Sequence, residues 1–214
     1  MQRFVWILGS LLGLAVSASA AERHYVVLFG VQPDSAEARL CHSFGVFMQV
    51  PDNGEEARQV TISWMPAGKV IRLLAPPEVG RNFSLKESLA WAAADNLTIT
   101  VWGPFEIRKE LYDQAVEQAD RLRNGAVAYK AWNPRARNGA LNCIQALSDI
   151  VPGDVLNTGT ARGNAATAII VRHYRPFLIE PEQTHPEVLD RLGLSAAERR
   201  ALQPSTSALR ETLR

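Results

Sequence analysis

Cys143, in "GALNCIQALSDI" (139–150), and Cys41 and His42, adjacent in "RLCHSFGVFMQV", are the residues best able to do chemistry in this chain. A thiol whose proton a histidine can take is a nucleophile for carbonyl groups. Two thiols held together form a disulfide instead. Whether Cys143 meets His42 or Cys41 therefore separates an enzyme from a stapled module. Asn142 is a good helix N-cap, and Gln145 three residues on completes a capping box. Cys143 then stands in the first helical turn, with Ile144, Leu147 and Val151 as the apolar face. The unpaired amides and aligned dipoles there favour an anion, so the sequence predicts a thiol pKa below its usual value of about 8.5. The same amides are candidate donors to an oxyanion.

The elements that must position these groups read as α+β. A continuous apolar run, His24 to Val31, is a buried strand. From His42 to Val50 the residues alternate, with His42, Phe44, Val46 and Met48 on one face and Ser43, Phe47 and Gln49 on the other. Arg58–Met65 and Lys69–Leu74 follow at hairpin spacing, giving an antiparallel meander. His42 faces the core side and needs a partner, because an unsatisfied buried polar group costs on the order of 1–3 kcal/mol. A thiolate on a helix packed against the sheet is one candidate. Gln59, Thr61 and Ser63 on the next strand are candidates for the other ring nitrogen, and Ser63 joins Cys143 and His42 in the candidate site.

Further along, Ser84 with Glu87 signals a helix start, Leu97–Gly103 reads as a strand, and a helix runs from Arg108 to Asn124 with Gly125 as its left-handed cap. "AVAYKAW" reads as another strand. The segment from Asn164 reads as a helix, with a strand over Ala168–Tyr174 as the alternative. Two short helices flank Gly193, with Ser195 and Glu198 as a capping pair.

A strand beginning "HSFGVFM", a second strand, and much later an "NC" opening an apolar helix resemble the circularly permuted papain-like superfamily. This includes NlpC-type hydrolases, lecithin:retinol acyltransferase-like proteins and periplasmic domains associated with lipoprotein transacylation. The likeness spans Tyr25 to Val151. It implies an antiparallel sheet packed against helices, with the histidine strand before the cysteine helix. It also implies Cys143 as nucleophile, His42 as base, and cell-wall peptide or lipid acyl ester as the substrate class. His173 is the competing base, only 30 residues beyond Cys143.

The opposing reading makes Cys143 half of a disulfide. A Cys41–Cys143 bond would close a loop of about 100 residues, worth roughly 4–5 kcal/mol in the chain-entropy model. It would suit a non-catalytic binding or assembly module. Cys41 and His42 point to opposite faces of one strand, so Cys143 should meet only one of them.

Residues 1–20 have the layout of a secretory signal peptide: one charge at Arg3, an apolar run, then Ala18-Ser19-Ala20. The chain is expected to be periplasmic or secreted, with one α+β domain over 21–204 and a frayed tail over 205–214. With Arg3 removed, the 23 basic and 22 acidic residues come into balance, which argues against nucleic acid as a partner. No apolar stretch after the leader is long enough to span a bilayer. The histidines are scattered and no P-loop or G-x-S-x-G occurs, so neither a metal nor another cofactor is expected.

Overall fold

The computed structural model describes residues 22–34, 40–134, 136, 139–151, 155–157 and 159–205. The leader read at 1–20 and most of the tail read at 205–214 lie outside them. The chain runs β1 (Glu22–Gln32), β2 (His42–Pro51), β3 (Arg58–Ile62), β4 (Trp64–Pro66), β5 (Glu78–Asn82), α1 (Leu85–Ala94), β6 (Thr98–Ile107), α2 (Lys109–Arg123), β7 (Ala128–Tyr129), β8 (Ala140–Leu141), α3 (Cys143–Ser148), α4 (Gly163–Tyr174), α5 (Ala196–Ala201) and β9 (Leu202–Pro204).

A five-stranded sheet in the order β3-β2-β1-β6-β9 forms the centre. β1 is apolar along most of its length because both faces are covered, as expected of a doubly buried strand. Val26 and Leu28 enter one hydrophobic cluster with α2, α3 and α4. Tyr25, Val27, Phe29 and Val31 enter a second with α1 and the segment around Leu192. The alternation read in β2 follows the same division, Phe47 going to the first cluster and Phe44, Val46 and Met48 to the second.

The expected all-antiparallel sheet is corrected to two mixed ones. β9 joins β6 in parallel, and the second sheet, β4-β5-β7-β8, pairs β7 with β8 in parallel. The expected strand over Lys69–Leu74 is absent. Lys69 takes a left-handed backbone with φ 60° and turns the chain out of the ladder, so β5 pairs with β4 in its place. Only Ile71 of that stretch is buried, while Val70 and Leu74 face solvent.

The helix signals are local and hold. Both halves of the capping box are formed at Ser84/Glu87, Asn142/Gln145 and Ser195/Glu198. Gly125 follows α2 with φ 72°. The Asn164 segment is the helix α4, with Ala166, Ile170 and Tyr174 buried at successive turns. Gly163 at its start has φ 51°, and a Cβ there would stand 2.9 Å from the Val31 carbonyl oxygen, so only glycine lets α4 approach β1 this closely. Past α4, a 3-10 turn over Pro186–Leu192 ends at Gly193, and Val188, Leu192 and Leu194 pack into the second cluster.

Ser63 occupies the corner where the chain passes from β3 to β4 and from one sheet to the other. Its amide donates to Asn82 Oδ1 at 2.7 Å, and Asn82 Nδ2 donates to the Thr61 carbonyl at 2.8 Å, so one side chain pins the corner from both sides. The next residue, Trp64, is fully buried, and its indole N–H donates to the Leu141 carbonyl at 3.2 Å. This corner thus ties the β3–β4 side of the molecule to the approach to Cys143.

Candidate active site

Cys41, His42 and Ser43 at the start of β2 line one cavity together with Asn142 and Cys143 at the start of α3. Tyr129, Trp132, Asn133, Asn157 and Arg162 also line it. Among the described residues, none beyond Ala166 lines it.

Asn142 caps α3 by accepting the Gln145 amide at 2.9 Å, while Gln145 Oε1 accepts the Asn142 amide at 3.1 Å. Asn142 Nδ2 also donates to the Ala131 carbonyl at 3.3 Å, which fastens the helix start to the cavity wall. Cys143 is half-buried against the first hydrophobic cluster. Burial pushes its thiol up to about 11, although the nearby backbone amides of Ser43, Ile144 and Cys143 itself favour the thiolate and oppose the rise. This reverses the depressed pKa read from the helix start. Helix-end electrostatics are local, whereas the desolvation that outweighs them comes from tertiary packing.

His42 is 1% exposed, and its ring stacks on Phe44 and meets Trp91 edge-on. Its Nε2 lies 2.9 Å from Ser63 Oγ. Its Nδ1 is buried with no hydrogen-bond partner in the protein. The structure thus brings Cys143, His42 and Ser63 to one region and joins the latter two, but no thiol–imidazole hydrogen bond links Cys143 to His42. Neighbouring side chains on β2 diverge: Ser43 Oγ lies 2.8 Å from Thr167 Oγ1 on α4, on the side of the first cluster, while His42 lies among members of the second.

Desolvation alone drives the His42 pKa down to about 3. A ring whose folded pKa lies below the unfolded value of about 6.5 stabilises the fold fully above that value, and the contribution is lost as pH falls toward 3. Unfolding free energy, followed by urea titration from pH 5.5 to 4, is expected to decline by about 1.3 kcal/mol per pH unit from this ring. In His42→Gln that part of the slope should vanish; an unchanged slope would mean that the ring does not titrate as a buried group.

Both cysteines are thiols in the structure. Cys41 shares the cavity and lies within electrostatic range of Cys143. Burial raises its pKa, and the Arg162 guanidinium works against the rise. His173, the competing base, sits in the last turn of α4 with Nε2 3.3 Å from the Ser148 carbonyl and is not on the cavity. Among the described residues, no group of three or more His, Cys, Asp or Glu side chains is placed to hold a metal ion, and no helix is long and apolar enough to cross a membrane. Sequence reasoning missed Asn82, which holds the Ser63 corner. It also missed Ser88, whose Oγ lies 2.8 Å from Ser63 Oγ. Asn82 carries no local signal, and Ser88 reads in sequence only as an interior residue of α1.

Compared with models of known protein families, with curated proteins and with solved structures, the chain matches none.

Proposed function

We propose that this protein is an exported cysteine-dependent hydrolase or acyltransferase of the permuted papain-like kind, acting on an amide or ester carbonyl. One observation carries the reading: Cys143, at a helix start, lines one cavity with His42, a buried histidine whose Nδ1 has no hydrogen-bond partner. Cys143 is the nucleophile, His42 the base, and Ser63 holds the base.

The two pKa values, about 11 for the thiol and about 3 for the ring, make the resting pair neutral. No thiolate–imidazolium pair waits for substrate. The S–H proton passes to Nδ1 as the sulfur–carbon bond forms, and the amides around the sulfur supply donors for the developing charge. Collapse of the tetrahedral adduct breaks the bond to the amine or alkoxide, which leaves with the proton from Nδ1. The thioester on Cys143 is then attacked by water or an amine, whose proton returns through His42 to the sulfur. Cell-wall peptide and lipid acyl ester are the substrate classes proposed.

Cys41 on the same cavity favours a second reading, a binding or assembly module of this fold stapled by a Cys41–Cys143 disulfide. Intact mass after alkylation under denaturing conditions, without reductant, separates the two. The hydrolase reading expects two alkyl groups on the chain; no alkylation and a mass two hydrogens short would establish the staple.

A further inference from the structure

We propose that Arg162 is a specificity-determining residue, which draws a carboxylate or phosphate group of the substrate into the cavity that holds Cys143. The inference rests on the reading of Cys143 as the nucleophile, and it narrows the substrate to one that carries an anion near the carbonyl under attack.

Among the described residues that line the cavity, Arg162 is the one with a formal charge, since burial keeps the His42 ring and both thiols neutral at neutral pH. The amide side chains around it are committed to the protein. Asn133 Nδ2 donates to the Ala140 carbonyl at 2.6 Å, and Asn142 is taken up by the Gln145 amide and the Ala131 carbonyl. Asn157 Nδ2 donates to the Pro134 carbonyl at 3.0 Å, while its Oδ1 accepts the Gly159 amide. Arg162 is exposed, and no carboxylate among the described residues pairs with its guanidinium. That group offers five donors in a planar fork, which matches a carboxylate or a phosphate two bonds at a time. Its field reaches the thiol end of the cavity, where it favours the charged form of Cys41.

The backbone holds this side chain in a fixed place. Arg162 is the N-cap of α4, and its carbonyl accepts the Ala165 and Ala166 amides at 3.1 and 3.4 Å. The next residue, Gly163, is the one pressed against β1, and its carbonyl accepts Ser43 Oγ at 3.3 Å. Ser43 follows His42 on β2, so the strand that carries the base also fixes the root of the arginine. Both substrate classes proposed above can supply the anion, a peptide through a carboxylate and a lipid ester through a phosphate.

The first test needs no turnover. Iodoacetate and iodoacetamide alkylate the same thiolate and differ in charge, so the ratio of their rates at Cys143, measured in Cys41→Ala by peptide mass mapping, is independent of thiol acidity. The native protein is expected to raise the iodoacetate-to-iodoacetamide ratio about two- to fivefold over that of the urea-unfolded chain, the span of an exposed ion pair. The gain should shrink as salt is added. Arg162→Gln should return the ratio to the unfolded value, and Arg162→Lys should keep part of the gain. Equal ratios in native and unfolded protein, or a wild-type ratio in Arg162→Gln with wild-type circular dichroism, would overturn the assignment. Mono-p-nitrophenyl adipate and p-nitrophenyl 6-phosphonohexanoate, each compared with p-nitrophenyl hexanoate, then separate a carboxylate from a phosphate. The anion with the larger Arg162-dependent gain in kcat/KM is the group selected. Turnover of the hexanoate with no such gain for either anionic ester would overturn the proposal and leave the hydrolase reading standing. An Arg162-dependent preference for iodoacetate with no turnover of any ester would uphold the anion site while removing the hydrolase reading.

Discussion

Cys143→Ala is expected to bring turnover of an activated ester such as p-nitrophenyl acetate down to the uncatalysed rate while leaving the fold in place. The substitution removes the sulfur assigned as the nucleophile. The hydrogen bonds that start α3 are spared, because the Asn142–Gln145 box uses amides and side-chain oxygens rather than the sulfur. Far-ultraviolet circular dichroism and the urea midpoint should therefore change little. Cys41→Ala, which removes the neighbouring thiol on the same cavity, should retain turnover. His42→Gln should lower it by about 10²–10⁴-fold, the usual span for loss of a positioned base. Turnover in Cys143→Ala equal to that of wild type would place the chemistry elsewhere.

Trp64→Ala is expected to cost about 3–5 kcal/mol of stability, in the range found when a buried aromatic is cut back to a methyl. Trp64 is fully buried, and the backbone of β5 lies hard against it: a Cβ added at Gly80 would come within 2.0 Å of the indole ring. The indole N–H reaches the Leu141 carbonyl, two residues before Cys143. That carbonyl also accepts the Lys130 amide at 3.1 Å, so it keeps one partner when the indole is lost. Trp64→Phe should accordingly cost much less than the alanine change, and Gly80→Ala should cost about 1–3 kcal/mol by overpacking the same contact. Shifts in the urea midpoint at constant m-value measure all three. A loss under 1 kcal/mol in Trp64→Ala would show that this corner does not hold the two sheets together.

Local signals carried much of this architecture. The three capping boxes, the left-handed glycine at 125 and the alternation of β2 depend on neighbours within a few residues, and each is present where the residues indicate it. The placement of Ser63 at His42 could be named only as one of three choices, because it depends on how β3 ends at the corner held by Asn82. Ser88 stayed hidden because its contact with Ser63 joins a helix to a sheet corner 25 residues away in sequence. β8 has two residues, too short for any hydrophobic period to register, and β7 keeps only Ala128–Tyr129 of the longer run that reads as a strand. The run at Lys69–Leu74 misleads for the opposite reason. Its apolar and β-branched residues suit a strand, yet a left-handed Lys69 turns them toward solvent. The thiol's acidity was misjudged because a helix start is visible in sequence and burial is not.

The most direct measurement of the central claim is the acid-quenched intact mass of reduced protein after brief exposure to p-nitrophenyl acetate, with the modified peptide sequenced. The account predicts one acetyl group, carried by Cys143 and released by neutral hydroxylamine as a thioester is. An unmodified Cys143, with the acetyl group absent or borne by another residue, would contradict it.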